Sequence, residues 1–249
     1  MAYKLGKRPA KRDPRTYRLT PALAAHWPAV PEEQDWSDKV DYQMWGNDTC
    51  GCCGLASQAG FVATWTKNAQ SQVLLSTDQV VANYSDVSGY DPRTGLNDDG
   101  VILLDVLKIW RKNGFRRPGP DKDILTAFGY VERKDIMSVK RCIAFLGGII
   151  GGVQVVQGFM ELEPGDTWDL NKVSDLTPVG GHAIAITGYN KDGLFFASWG
   201  ARSFMPWATW ACISDESYGL LSRQNWLGDD GKSPKDQTFD ALLSEIRSL

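Results

Sequence analysis

The stretch Asn47-Asp48-Thr49-Cys50-Gly51-Cys52-Cys53-Gly54-Leu55-Ala56-Ser57 packs three of the chain's five cysteines into four positions. The Asn, Asp, Thr and Gly that lead into it favour turns. Behind it, Leu55, Ala59 and Val62 recur at helical spacing with Trp65 nearby, which predicts a helix from Cys53 to Lys67. That arrangement puts a thiol at a helix N-terminus, where the partial positive charge favours thiolate. A cysteine nucleophile also needs a base and an oxyanion donor. The chain has two histidines. His26 sits in a Pro-rich stretch on no regular element. His182 follows Gly180-Gly181 at the start of a strand in which His182, Ile184 and Ile186 share one face. A helix-borne cysteine and a strand-borne histidine from opposite halves of the chain would meet at the seam between two lobes. The competing reading of His182 is a structural histidine satisfied by backbone groups.

The same cysteines raise the question of a metal. Zinc sites usually pair cysteines across a two-to-four-residue gap and need a second pair, or histidines, close by. Here Cys142 and Cys212 stand alone, so no metal and no cofactor is expected. An odd number of cysteines and an N-terminus without an apolar signal segment fit a reduced chain made in the cytoplasm. No apolar run is long enough to span a membrane, and a net charge of −3 argues against bulk nucleic-acid binding. Oligomeric state is unread. Ten Trp residues point to aromatic-rich packing or to a groove with aromatic walls.

The elements that would carry these residues divide the chain in two. Residues 1–45 read as an extended arm crossing to the β lobe. Lys4, Lys7, Arg8, Lys11, Arg12, Arg15 and Arg18 form a basic run broken by Pro9 and Pro14, and Pro21, Pro28 and Pro31 keep the rest of the arm extended. Such an arm could be trimmed, occupy the cleft or dock on a partner. Residues 46–135 read as a helical lobe. After the Cys53 helix comes a short one within 74–81, capped at Ser76 or Thr77. A Gly/Asp/Asn-rich loop over 85–100 comes next, then a helix from Val101 to Asn113 with Gly114 as C-cap. Residues 136–249 read as a β-rich lobe. Asp135 caps a helix carrying Ile136, Val139, Ile143 and Leu146 on one face, and β-branched runs then take over at 149–156, 182–189 and 194–198. Asn190-Lys191-Asp192-Gly193 reads as a hairpin turn. The fold class is α+β.

These residues carry a resemblance. Cys50-Gly51-Cys52-Cys53-Gly54-Leu55-Ala56-Ser57 resembles the motif of papain-like cysteine peptidases, in which a C-G-S-C core opens the central helix. Leu75-Ser76-Thr77-Asp78-Gln79 resembles that family's L-S-x-Q segment. Gly181-His182-Ala183-Ile184-Ala185-Ile186-Thr187-Gly188-Tyr189 is similar to its H-A-V-x-x-V-G-Y strand, and Ser198-Trp199-Gly200 to its N-S-W-G. The pieces run in the family's order over residues 30–210, and the long Cys-to-His separation differs from that of the smaller NlpC/P60 and CHAP hydrolases. The resemblance implies two lobes, with the central helix starting at the nucleophile and a β-barrel-like second lobe. It implies Cys53 as nucleophile and His182 as base in a thiolate–imidazolium pair. Asn47 falls at the oxyanion-hole glutamine, Gly100 and Gly181 border the substrate backbone, and Trp199 shields the histidine. The N-terminus resembles bacterial and viral members without a long inhibitory propeptide, and a viral origin would allow virion association.

The chain departs from the family pattern at several points. Asn47 is one carbon shorter than glutamine. Ala197 stands where the family has the asparagine that orients the histidine; Asn190, Asp192 or a backbone carbonyl could take that role. Residues 201–207 lack the family's second W-G segment, and Cys50 has no cysteine near Asn97 to pair with. The function that the resemblance implies is hydrolysis of peptide bonds by a thiol peptidase, with a peptide or protein as substrate. The alternative is a catalytically degenerate papain-like domain that binds or builds structure.

Overall fold

The computed structural model describes residues 3–19 and 28–247, the last four as backbone only. Residues 20–27, with His26 and Pro21, lie outside them.

Strand β1 (Gln34–Asp35) precedes three helices: α1 (Cys53–Ala69), α2 (Thr77–Ser88) and α3 (Leu103–Asn113). Local chemistry sets their ends. Ser76 and Gln79 form a reciprocal capping box at the start of α2, and Gly89, in the left-handed region, closes it. α2 therefore runs seven residues beyond the expected Val81 and takes in the start of the expected 85–100 loop. The α3 helix starts two residues later than expected, after Gly100 adopts φ +72°. α1 is buried on nearly every side, as its alanines, glycines and Phe61 require.

The second half forms one antiparallel sheet. Its strands are β2 (Ala127–Tyr130), β3 (Ile149–Val156), β4 (Pro178–Tyr189), β5 (Gly193–Ser198), β6 (Ala201–Pro206) and β7 (Ser214–Leu221), in the order β2-β7-β3-β4-β5-β6. β1 pairs beside β4. Helices α4 (Ile136–Leu146), α5 (Gln157–Met160), α6 (Trp207–Ile213), α7 (Arg223–Trp226) and α8 (Phe239–Arg247) connect or flank the strands. Asp135 caps α4 by accepting from Ser138 N, as expected. The mixed helix and sheet composition, helical half first, is the expected α+β class.

Three tryptophans have a common task. The last carbonyls of a helix have no partner within it. At the end of α4 they are taken by indole N–H groups: Trp36 donates to Ile143 O (2.7 Å), Trp226 to Phe145 O (2.8 Å) and Trp65 to Leu146 O (2.9 Å). These side chains come from the arm, from α7 and from α1, so one helix end ties the two halves together. Gly147 comes next at φ +80°, where a Cβ would collide with Trp65.

The first part of the arm is fastened at Tyr17 and Leu19. Tyr17 O accepts from Tyr130 N (2.7 Å). Leu19 is fully buried in space that Gly129 and Gly219 leave open. Asp13 is held well below the usual carboxylate range by Arg15 and by Lys108 of α3.

Candidate active site

Cys53 is the first residue of α1 and Cys52 its N-cap, which gives no side-chain bond to the first N–H groups. Leu55 N and Ala56 N donate to Cys52 O (2.8 and 2.9 Å), which leaves the N–H groups of Cys53 and Gly54 for the thiol. The neighbouring cysteines fix the loop in front: Cys50 Sγ donates to Gly46 O (3.5 Å) and Cys52 Sγ to Trp45 O (3.4 Å). All five cysteines are free. Among the described residues no group of three His, Cys, Asp or Glu side chains is placed to hold a metal ion.

His182 lies early in β4, opposite Val153 of β3. It lines the same small pocket as Cys53, with Asn47, Ala183, Ser198 and Trp199. The pocket holds about 10 Å³, room for roughly one water. Gly100 and Gly181 lie on either side of the arm that covers it, so the structure gathers all six expected site residues around one cleft.

The residue that holds His182 is not among those expected. His182 Nε2 lies 2.7 Å from Ser198 Oγ, at the end of β5. Asn190 is committed elsewhere: its side chain accepts from Asp192 N and Gly193 N in the β4–β5 turn. Ala197 is paired in β5 opposite Ala185 and Arg202. Trp199 and Gly200, at φ +47° and +79°, form the two-residue turn between β5 and β6, where Ser198 pairs with Ala201. Two consecutive positive φ values suit a type I′ hairpin turn. That turn lays the Trp199 ring against His182, centroids 4.6 Å apart. His182 Nδ1 has no hydrogen-bond partner among the described residues.

The cleft is occupied by the chain's own N-terminal arm. Tyr3 stacks on Trp199 with centroids 4.2 Å apart and planes 7° from parallel. Lys4 and Asn47 pair twice: Lys4 N donates to Asn47 O (3.0 Å) and Asn47 Nδ2 donates to Lys4 O (3.1 Å). Val101 N donates to Gly6 O (2.7 Å), Lys7 N to Gly181 O (3.0 Å) and Arg8 N to Val101 O (2.8 Å). Gly6 passes where only glycine fits, since a Cβ there would overlap the Gly51 carbonyl. A Cβ on Gly100 would overlap the carbonyl of Gly6. The close backbone approach expected at Gly100 is thus made by the arm. Of the three uses open to the basic arm, it occupies the cleft.

Under this cover the thiol is 1% exposed. Burial pushes the Cys53 thiol up to about 11, against weaker pulls from backbone groups of Ala183, Gly6 and Gly54 and from the Lys7 charge. Burial pushes His182 down to about 3. Burial thus disfavours the charged form of both groups, against the thiolate–imidazolium pair that the resemblance implies.

No family model matches the sequence, and no curated protein matches it. Solved structures do match. Xylellain, a cysteine protease from Xylella fastidiosa, superposes with a TM-score of 0.69 at 18% identity, covering 88% of this chain and 96% of that one. The Carica candamarcensis cysteine protease CMS1MS2 gives 0.54 at 17% identity, over 78% of this chain and 99% of that one. Procathepsin B from Trypanosoma congolense gives 0.57 at 12% identity, over 88% and 86%. At these identities the likeness is one of fold: the chain has the papain-like cysteine protease fold.

Proposed function

We propose that this chain is a thiol peptidase kept latent by its own N-terminal arm. The observation that carries the reading is that Cys53, at the start of α1, shares a pocket with His182, whose Nε2 is held by Ser198. With the arm displaced, water reaches both groups and the burial that keeps them neutral is relieved. The proton then passes from Cys53 to His182. The thiolate attacks the carbonyl of a peptide bond, and the oxyanion is held by the Cys53 N–H and the Asn47 amide. His182 returns its proton to the leaving amine, and water then hydrolyses the thioester to regenerate the thiol. Trp199 and the backbones of Gly100, Val101 and Gly181 would seat the peptide where the arm now lies.

The second reading is a degenerate domain whose cleft serves only to hold the arm. The observation in its favour is that Asn47, the one side-chain oxyanion donor, is spent on Lys4 O and Cys50 O.

The test uses the full chain and its Gly6→Leu variant, whose new side chain cannot pass Gly51. Modification of Cys53 by a vinyl-sulfone probe is followed against pH, together with hydrolysis of a mixed peptide pool. Slow labelling of the native chain, with fast labelling of Gly6→Leu at a pH well below the ~8.5 of a free thiol, is expected. His182→Ala should abolish the fast labelling, and the pool should be cut only by Gly6→Leu. Labelling centred on the free-thiol value in both chains would exclude the peptidase.

A further inference from the structure

The side chain of Lys7 leaves the cleft floor and enters a pocket of its own. It is almost fully buried, its side chain 1% exposed, although it belongs to a basic arm otherwise largely in solvent. Its Nζ lies 2.7 Å from Asp215 Oδ2 and 3.1 Å from Glu216 Oε1, and donates to Arg8 O at 3.1 Å. Both carboxylates sit at the start of β7. Glu216 is itself buried, with a side chain 2% exposed, and its other oxygen accepts from Tyr218 OH at 2.9 Å. The channel that admits the lysine stem exists because position 152 of β3 is glycine: a Cβ there would overlap Lys7 Cε.

A buried carboxylate without a partner is costly, and the cost is met by a cation and by hydrogen bonds. Tyr218 supplies one hydrogen bond; among the described residues, Lys7 is the one cation in contact with Glu216. If the arm leaves, Glu216 loses its counter-charge. The backbone groups that hold the arm at this point, Gly181 O and the N–H and C=O of Val101, are general acceptors and donors for any extended peptide. They would set another chain in the same place, with one side chain aimed at Glu216.

We infer that Gly152, Asp215 and Glu216 form a lysine-recognition pocket, occupied in cis by Lys7, and that the peptides this cleft takes carry a basic side chain at that position. As a statement about substrates this rests on the peptidase reading above; as a statement about binding it does not. A long, thin, cationic side chain fits. A branched apolar one would meet two acids, and an acidic one would meet like charge.

The test is binding in trans, which needs no turnover. The full chain is made with Gly6→Leu and Lys7→Ser to vacate the pocket and Cys53→Ser to prevent cleavage. It is titrated with a fluorescent peptide of the sequence of residues 3–8, and with peptides carrying norleucine or glutamate in place of the Lys7 residue. The lysine peptide should bind at least about tenfold more tightly than the norleucine peptide, as expected of a desolvated charge-assisted contact. Adding Asp215→Asn and Glu216→Gln together should shrink that gap to about twofold or less. Equal binding of the lysine and norleucine peptides, a gap that survives the two acid substitutions, or no binding of any of them would overturn the proposal. Should the triple variant fail to unfold cooperatively, Cys53 labelling in chains altered only at Lys7 decides instead. Lys7→Met should then speed labelling about tenfold and Lys7→Arg by much less; equal rates would overturn the proposal. Peptide hydrolysis by Gly6→Leu is read separately. A chain that selects lysine but cuts nothing leaves the pocket standing and removes the peptidase.

Discussion

His182 Nε2 and Ser198 Oγ lie 2.7 Å apart, one near the start of β4 and the other at the last position of β5. The hydroxyl is one residue beyond the alanine that occupies the family's orienting position, and reaches the ring from the strand's end. A hydroxyl can donate or accept, so it serves the neutral imidazole and the imidazolium alike. Ser198→Ala, made in the Gly6→Leu background, should therefore slow Cys53 labelling by about tenfold, the worth of one lost hydrogen bond to an orienting partner. Ala197→Asn alone should change the rate little, because the ring is already held. The two together should restore part of the loss, provided the new amide reaches the ring. A rate unaffected by Ser198→Ala would remove the serine from this role.

The two buried groups make opposite contributions to stability against pH. The imidazole of His182 is held at about 3 in the folded chain, so its contribution is present above the ordinary 6.5 and is lost as pH falls toward 3. The Cys53 thiol is held at about 11, so its contribution is present below 9 and is lost as pH rises toward 11. Each pH unit within either window is worth up to about 1.4 kcal/mol. Chemical denaturation of the native chain and of His182→Gln across pH 4 to 7 should show a steeper acid loss in the native chain. Parallel curves would assign the acid loss to other groups.

Tyr3 covers Trp199 face to face, and its hydroxyl donates to Leu162 O at 3.3 Å. Tyr3→Ala should loosen the arm by the worth of one aromatic pair, about 1 kcal/mol, and so raise Cys53 labelling about fivefold. The gain should not depend on salt, whereas a gain from Lys7→Met should shrink in salt as the native ion pair weakens. Stopped labelling reactions at low and high salt read both.

Asp123 is fully buried beyond the end of α3. It accepts from Trp110 Nε1 (2.7 Å) and Asn225 Nδ2 (2.9 Å) and lies 3.6 Å from Arg117. Asp123→Ala would strand an indole and an amide and remove the counter-charge of a mostly buried guanidinium, which keeps its hydrogen bond to Asn225 Oδ1. A loss of about 3–5 kcal/mol is expected from denaturant unfolding, with Cys53 chemistry unchanged in whatever remains folded.

Much of the site is legible in the residues. A turn-rich run before Cys53 and helical spacing after it predict the start of α1, and a β-branched run after a glycine pair predicts β4 around His182, because those signals are local; that the two residues share a pocket is implied by the papain-like order of the motifs and by neither signal alone. The β4–β5 hairpin is equally legible from Asn190 to Gly193. Ser198 is not: its role depends on where β5 ends and on the positive φ of Trp199, which come from strand pairing rather than from residue type. The longer α2 reflects tertiary burial of Asn83 and Tyr84, which overrides the polar look of its second half. The basic run is visible, but nothing in its composition separates Lys7, which enters an acidic pocket, from Lys11, which makes an exposed pair with Asp105.

The burial of Leu19 and the pairing of Tyr17 with Tyr130 bear on how the cleft could open. Because the arm is fixed there, residues 3–8 can leave the cleft only on a tether of about ten residues. A segment on so short a tether is at an effective concentration of the order of millimolar. Dilution then cannot unblock Cys53, and a free peptide must compete at comparable concentration to displace the arm. A cut between the cleft and Tyr17 changes that at once: the same six residues become a separate ligand that diffuses away, so activation by cleavage would be a step and not a balance.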